Sequence, residues 1–250
     1  MKPTHFLACA AALAAIAGCN SNEGNAATGG GAGGVMVKVK PPSNGDWSTI
    51  VTQTAAGGFM MGNPNAKVKL IEYGSLTCPH CREFDETGVP LLTSKYVKTG
   101  KVSWEFRNYV RDAFDLTATL LARCNGAKSF FPLSRALYKD QPVWVEKIQK
   151  VPEAQLEALQ SLPPNKQFIE IARLSGLQQY AAVRGVPMAK SSQCLTNEKM
   201  VNQLVQMTGD ATTEFPNFSG TPNFVINGKL DDKIAGWPAL ESKLKAALGG

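Results

Sequence analysis

Two cysteines with only two residues between them, Cys78 and Cys81, directly follow an apolar segment and a short turn. The segment from Leu70 to Tyr73 has the composition of a β-strand, and Pro79 is typical of the first turn of a helix. A thiol at a helix N-terminus lies beside unpaired backbone N–H groups and the positive end of the helix dipole, which both favour the thiolate. The pattern therefore predicts a redox-active dithiol where a strand leads into a helix.

Each residue of the dithiol motif has an expected role. Cys78 lies at the start of the helix, so we expect it to be exposed and to be the sulfur that attacks and is attacked. Cys81, one turn further, is the expected buried resolving thiol. Pro79 shapes the turn, and His80 adds positive charge beside Cys78, unless it is a surface histidine without a role. An inert disulfide or half of a zinc site are the alternatives, but zinc usually needs a second close pair and the other cysteines are isolated.

A carboxyl group shares the apolar face of the strand before the dithiol. In the alternating segment Val68, Leu70 and Glu72 point the same way. A carboxyl in this position is either a buried acid with a raised pKa or a partly solvated residue at an exposed strand end. The residues alone leave both alternatives open.

Two motifs resemble one known family. Glu72 with the run CPHCREF at 78–84 resembles the DsbA-type branch of the thioredoxin-fold thiol–disulfide oxidoreductases. The run GTPNFVING at 220–228 resembles the cis-proline loop and the following strand of that family. The resemblance covers roughly residues 59 to 249. It implies that Glu72 lies beneath the buried cysteine and helps to move its proton.

The resemblance also implies a substrate-binding loop. Thr221 and Pro222 would face the disulfide through a cis peptide bond, leaving the Thr221 backbone free to pair with an extended substrate chain. Without the resemblance the bond would be predicted trans, because about 5–6% of X–Pro bonds in folded proteins are cis. Thr221 departs from the valine of the best-known oxidases of the family and is closer to isomerase-like branches.

About a hundred residues separate the third predicted strand from Thr221, and they have the apolar spacing of helices. We therefore predict an α/β protein with a thioredoxin fold and a large all-helical insertion, at about 111–210, between the third strand and the cis-proline strand. The predicted strands lie at 58–62, 68–73, 102–110, 224–226 and 230–234. The predicted helices include 79–95, 168–180, 195–207 and a last one that begins at Pro238.

Two further cysteines, Cys124 and Cys194, lie in the predicted insertion. We predict that they form a second, structural disulfide, and two buried free thiols are the alternative. Cysteine parity supports the disulfide. If a signal peptide carries Cys9 away and Cys19 bears lipid, four thiols remain and can pair completely.

The N-terminal residues have the pattern of a secretory signal. Lys2 precedes a short apolar core that ends in small residues, so residues 1–18 are predicted to be a signal peptide. The run IAGC at 16–19 resembles the lipobox of bacterial lipoproteins, which makes Cys19 the predicted lipidation site; an ordinary signal peptide with a chance cysteine is the alternative. Residues 19–46 are a predicted lipid-anchored flexible linker, and residues 47–250 the folded domain.

Composition excludes several other function classes. The net charge of +6 is spread along the chain without a dense basic block or a nucleic-acid motif, so no nucleic-acid partner is predicted. No apolar run is long enough for a mature membrane-spanning helix. No metal and no cofactor are expected, and we expect a monomer.

The predicted function is an exported thiol–disulfide oxidoreductase that forms disulfides in reduced or unfolded envelope proteins. The family implies a membrane redox partner for re-oxidation. Isomerase or reductase activity is the alternative, followed by a non-enzymatic metal carrier or holdase. The predicted location is the periplasm, anchored by lipid, with the outer membrane favoured because Asn20 is not the aspartate associated with inner-membrane retention.

Overall fold

The structure is a computed structural model that describes residues 39–250. The predicted signal peptide, the lipidation site Cys19 and most of the predicted linker lie outside the described residues. The domain begins with a helical turn at Trp47–Thr49, which Asp46 caps by accepting a hydrogen bond from the Ser48 backbone N–H. This start agrees with the predicted boundary at residue 47.

The described residues contain one six-stranded sheet with the order β1-β2-β4-β3-β5-β6. Strands β3 and β4 are parallel, and the other neighbours are antiparallel. The strands are β1 (Val51–Gln53), β2 (Phe59–Met61), β3 (Val68–Gly74), β4 (Val102–Asn108), β5 (Asn223–Ile226) and β6 (Lys229–Asp231). β1 was not predicted, because three largely exposed residues give no hydrophobic alternation to detect.

The predicted ends of two strands were wrong for local reasons. β4 stops at Asn108 instead of Val110, because the Val110 N–H donates to the Thr208 hydroxyl (2.9 Å). β6 stops at Asp231, whose carboxylate accepts from the Lys233 N–H (3.2 Å) and starts a turn. The β5–β6 hairpin itself is confirmed.

Helices lie on both sides of the sheet in the chain order. They are α1 (Pro79–Thr87), α2 (Val89–Leu92), α3 (Ala113–Arg123), α4 (Ala127–Lys139), α5 (Gln141–Gln149), α6 (Glu153–Gln160), α7 (Pro164–Leu174), α8 (Leu177–Ala182), α9 (Met188–Leu195), α10 (Glu198–Glu214) and α11 (Trp237–Leu248). Helices α3 to α10 follow β4 and precede β5, so the predicted helical insertion is confirmed.

Three predicted helices are divided. The one predicted to reach Lys95 breaks at Gly88, and Pro90 in the next turn has no N–H to continue the α1 ladder. The one predicted at 168–180 breaks at Gly176, which has a φ of 72°. The one predicted at 195–207 breaks at Asn197, whose side chain accepts from the Met200 N–H and caps α10.

One hydrophobic core joins the sheet to the insertion. Phe59 of β2 stacks on Phe130 of α4, with ring centroids 4.4 Å apart. Trp104 of β4 packs against Phe131 of the same helix at 4.8 Å. The insertion therefore covers one face of the sheet and shares its core. In residues 39–250, no helix is both long and apolar enough to cross a membrane.

Candidate active site

Cys78 begins the helix that follows the central strand. It has extended backbone angles (φ −81°, ψ 122°) and is the N-cap of α1, with Pro79 in the first turn. The prediction that Cys78 is exposed was wrong, since the residue is only 4% exposed. The covering group is the loop before β5, because the Cys78 thiol donates to the carbonyl oxygen of Thr221 at 3.1 Å. The peptide bond between Thr221 and Pro222 is cis.

The surroundings of Cys78 favour its thiolate. Both Cys78 and Cys81 are free thiols, so the structure shows the dithiol form. The hydrogen bond from the Cys81 side chain is the largest of the effects that lower the pKa of Cys78 from 9.0 to about 5. Hydrogen bonds from the Thr221 side chain and from the backbone at Cys81 and His80 act in the same direction, whereas burial opposes them.

Cys81 has the opposite character. Its side chain has no solvent exposure, and burial raises its pKa well above the ordinary value. The hydrogen bond to Cys78 raises it further because Cys81 supplies the proton. The Ser75 N–H lies 3.5 Å from the Cys81 sulfur and partly offsets these effects. The pair therefore holds one negative charge on Cys78 and one proton on Cys81.

Glu72 is a buried acid beside this pair. It is 1% exposed, so the alternative of a partly solvated residue is wrong. The indole N–H of Trp104 donates to its carboxyl group at 3.0 Å. Burial first, and then the charge of Asp85, raise the pKa of Glu72 well above its ordinary value. A charge on Glu72 also raises the pKa of Cys81, which shows that the two groups interact electrostatically.

The His80 side chain faces solvent. Its imidazole is 77% exposed and lies 3.7 Å from the Glu83 carboxylate. The part of His80 that acts on the Cys78 sulfur is its backbone N–H. The expected contribution of imidazole charge beside Cys78 therefore stays a prediction.

A groove of about 520 Å³ opens beside the dithiol. Phe84 and Trp237 contribute apolar surface, and His80 and Glu83 contribute polar groups. Thr221 and Pro222 form part of the same wall. A polypeptide chain lying in this groove would reach the edge of the site where Cys78 meets Thr221.

The structure adds three buried polar residues that the sequence did not reveal. Asp115 of α3, Tyr138 of α4 and Gln141 of α5 all bond to the turn between β3 and Cys78. A polar residue in an otherwise buried helix was the available signal, most clearly for Asp115 in α3. Its partner is far away in sequence, so the sequence gave no indication of what it contacts.

Cys124 and Cys194 form a disulfide with a Cα–Cα distance of 5.6 Å. Cys124 follows the last residue of α3, and Cys194 lies in α9. The bond therefore joins two helices of the insertion. Within residues 39–250, no three His, Cys, Asp or Glu side chains lie together in a way that could hold a metal ion.

An acidic thiol at a helix N-terminus, a buried thiol one turn later and a cis-proline loop across them define a thioredoxin-fold protein of the thiol–disulfide oxidoreductase class. The comparisons with known proteins agree with this class. The family model Thioredoxin_4, described as thioredoxin, matches residues 54–246. The chain belongs to this family and, within it, to the DsbA-type thiol–disulfide oxidoreductases.

Individual relatives support the same assignment. A crystal structure of a protein-disulfide isomerase from Novosphingobium aromaticivorans is 32% identical, with a TM-score of 0.72, and the match covers 76% of this chain and 97% of that one. Wolbachia pipientis alpha-DsbA1 shares the fold at 22% identity, with a TM-score of 0.61 and coverage of 76% and 90%.

A curated protein of Rickettsia bellii, named "Putative protein-disulfide oxidoreductase", is 31% identical over 171 residues. The match covers 68% of this chain and 57% of the Rickettsia protein. The chain thus spans little more than half the length of the curated relatives it matches.

Proposed function

We propose that this protein is an exported thiol–disulfide oxidoreductase that forms disulfides in other proteins by means of the Cys78–Cys81 pair. The observation that carries the proposal is the opposite shift of the two thiols, with the pKa of Cys78 lowered to about 5 and that of Cys81 raised. A stable Cys78 thiolate favours the reduced enzyme, and this makes its disulfide a stronger oxidant. Each pKa unit corresponds to about 1.4 kcal/mol.

The proposed reaction starts from the oxidised enzyme. A substrate thiolate attacks the Cys78 sulfur, the Cys78–Cys81 bond breaks, and its electron pair leaves on Cys81, which takes up a proton. A second substrate thiol, losing its proton, attacks the substrate sulfur of the mixed disulfide. Cys78 then leaves as a thiolate. The substrate loses two electrons and the enzyme gains them, so the cycle needs re-oxidation by an acceptor.

Glu72 is the proposed proton carrier for Cys81. Burial keeps its carboxyl group protonated far above the usual pH range, so it has a proton to give when Cys81 is released as a thiolate. The same group takes the proton back when the dithiol is re-oxidised. Trp104 fixes one carboxyl oxygen throughout.

The groove beside Cys78 is the proposed binding surface for reduced or unfolded envelope proteins. The Thr221 backbone would pair with the extended substrate chain next to the reacting sulfur, with Pro222 shaping the loop. We further propose a periplasmic monomer, anchored by lipid at Cys19 and facing from the outer membrane, with a membrane redox partner as acceptor. The sequence motif at 16–19 supports the anchor. Release of a Cys19→Ala variant from the membrane fraction tests the anchor.

The test of the activity uses a reduced two-cysteine peptide and the oxidised protein. We expect one peptide disulfide per enzyme disulfide, no product with Cys78→Ser, and a trapped mixed disulfide on Cys78 with Cys81→Ala. The double variant Cys124→Ala/Cys194→Ala is the matched control, because it removes cysteines that lie outside the reaction. Peptide oxidation by Cys78→Ser would contradict the proposal.

Isomerase activity is the second candidate. The 32% identical structure is described as a protein-disulfide isomerase, and Thr221 precedes the cis-proline here. An isomerase acts as the dithiol on a wrongly paired substrate. Rapid recovery of a scrambled protein by the reduced form, together with slow peptide oxidation by the oxidised form, would favour this candidate.

A further inference from the structure

The turn that leads from β3 into the dithiol is held by the helical insertion. This turn, residues 75–78, consists of Ser75, Leu76, Thr77 and Cys78. Three consecutive helices of the insertion each contribute one buried polar side chain to it. None of the three side chains lines the groove beside Cys78.

The hydrogen bonds involve peptide groups along the whole turn. Asp115 accepts from the Leu76 N–H at 2.8 Å, and the Tyr138 hydroxyl donates to the Ser75 carbonyl oxygen at 3.1 Å. The Gln141 amide donates to two carbonyl oxygens, those of Leu76 at 2.8 Å and Cys78 at 3.0 Å. Asp115, Tyr138 and Gln141 are at most 4% exposed.

The same peptide groups control the positions of the two sulfur atoms. The Ser75 N–H donates to the Cys81 sulfur, and the Ser75 carbonyl oxygen also accepts from the Cys78 N–H at 3.2 Å. The Cys78 carbonyl oxygen accepts from the Arg82 N–H in the first turn of α1. A shift of this turn would therefore change the hydrogen bond between the two thiols, which most strongly lowers the pKa of Cys78.

We propose that the insertion is a positioning device for the dithiol: Asp115, Tyr138 and Gln141 hold the turn 75–78 and so set the redox equilibrium of the Cys78–Cys81 pair. This inference rests on the proposed redox function. A polar group left unpaired inside a protein costs about 1–3 kcal/mol, so the turn has a strong preference for the held position. The held position is that of the dithiol, and the three residues thereby stabilise the reduced enzyme.

Removal of the Tyr138 hydroxyl tests the inference with little change in shape. Tyr138→Phe leaves the ring in place and removes the bond to Ser75, and Gln141→Leu is a second variant on another helix. The matched control is Tyr180→Phe in α8. The Tyr180 hydroxyl lies 2.7 Å from the Ala136 carbonyl oxygen and 2.7 Å from the Asp140 carboxylate, both within the insertion.

Two measurements separate positioning from stability alone. The first is the equilibrium constant between each variant and glutathione, and the second is the pKa of Cys78 from thiolate absorbance. We expect both Tyr138→Phe and Gln141→Leu to shift the equilibrium toward the enzyme disulfide by about threefold or more, which is about 14 mV for a two-electron couple. The pKa of Cys78 should rise in both variants, and Tyr180→Phe should change neither quantity.

Equal destabilisation of the oxidised and reduced forms, with an unchanged equilibrium in Tyr138→Phe and Gln141→Leu, would overturn the inference and leave the proposed function intact. The same shift in Tyr180→Phe would also overturn it, because the effect would not depend on the turn. A wild-type protein without a reversible couple would overturn the proposed function, and the inference with it.

Discussion

The acidity of Cys78 is the property of a single residue on which the chemistry depends. Because its pKa is lowered to about 5, we expect alkylation of the reduced protein to keep nearly its full rate from pH 8 down to pH 6, with half of it remaining near pH 5. Iodoacetamide labelling followed by mass spectrometry measures this at Cys78. In Cys81→Ala the midpoint should move upward, since the largest cause is removed. A wild-type midpoint near 8.5 would contradict the assignment.

Glu72 combines a cost in stability with the proposed proton transfer. Glu72→Gln keeps an oxygen for the Trp104 indole and removes a buried ionisable group, so we expect the free energy of unfolding at pH 8 to rise by on the order of 1 kcal/mol. The rate at which the peptide is oxidised should fall at the same time. Chemical denaturation and stopped-flow fluorescence measure the two effects. Glu86→Gln, on the exposed side of α1, is the control and should change neither.

A second buried acid makes stability depend on pH. Burial raises the pKa of Asp115 to about 7, against about 3.9 in an unfolded chain. Between these values the folded state holds the extra proton, so this stabilising contribution is complete below pH 4 and is lost as the pH rises through 7. The cost is about 1.4 kcal/mol per pH unit.

Asp115→Asn should therefore flatten the decrease in unfolding free energy between pH 4 and pH 7. Urea denaturation at several pH values measures the difference between wild type and variant. Asp112→Asn is a suitable control, since Asp112 lies in the same turn but is exposed. Parallel curves for wild type and Asp115→Asn would show that Asp115 does not hold this proton.

Among the elements, α3 and α9 are joined covalently. Their disulfide closes a loop with a sequence separation of 70 residues, so we expect Cys124→Ala/Cys194→Ala to lose about 2–4 kcal/mol of unfolding free energy. Thermal and urea denaturation under non-reducing conditions measure the loss. Unchanged stability would mean that the packing of the insertion alone fixes these helices.

The elements nearest the dithiol were the easiest to predict from sequence. The strand before Cys78 has strong apolar character and the helix after it begins with a proline, so local patterns were sufficient. Helices α5 and α9 were missed as separate elements, because their breaks depend on single capping residues such as Asp140 and Asn197. Short-range signals of this kind do not change the hydrophobic pattern on either side.

Residues of the site divided in the same way. Cys78, Cys81 and Glu72 follow from one short stretch, and Pro222 came from resemblance to a family. The burial of Cys78 could not be predicted, because the covering carbonyl group belongs to a residue 143 positions later. The contacts of Asp115, Tyr138 and Gln141 likewise depend on how the insertion packs, which no local pattern specifies.

At the scale of the whole molecule, sheet and insertion share one hydrophobic core. The core places the turn before Cys78 between the central strand on one side and three insertion helices on the other. A small thioredoxin-like sheet alone would leave this turn in solvent on the side that Tyr138 and Gln141 now cover. The insertion is therefore part of the structure around the dithiol, and its packing bears on the redox chemistry.

The reduction potential of the Cys78–Cys81 pair tests the central claim most directly. Equilibration of the folded protein with defined ratios of reduced and oxidised glutathione, followed by counting of free thiols, gives the value. A strongly stabilised Cys78 thiolate predicts a potential well above about −180 mV, toward −120 mV, as expected for a protein that donates disulfides. A potential near about −270 mV would contradict the account and indicate a reductase.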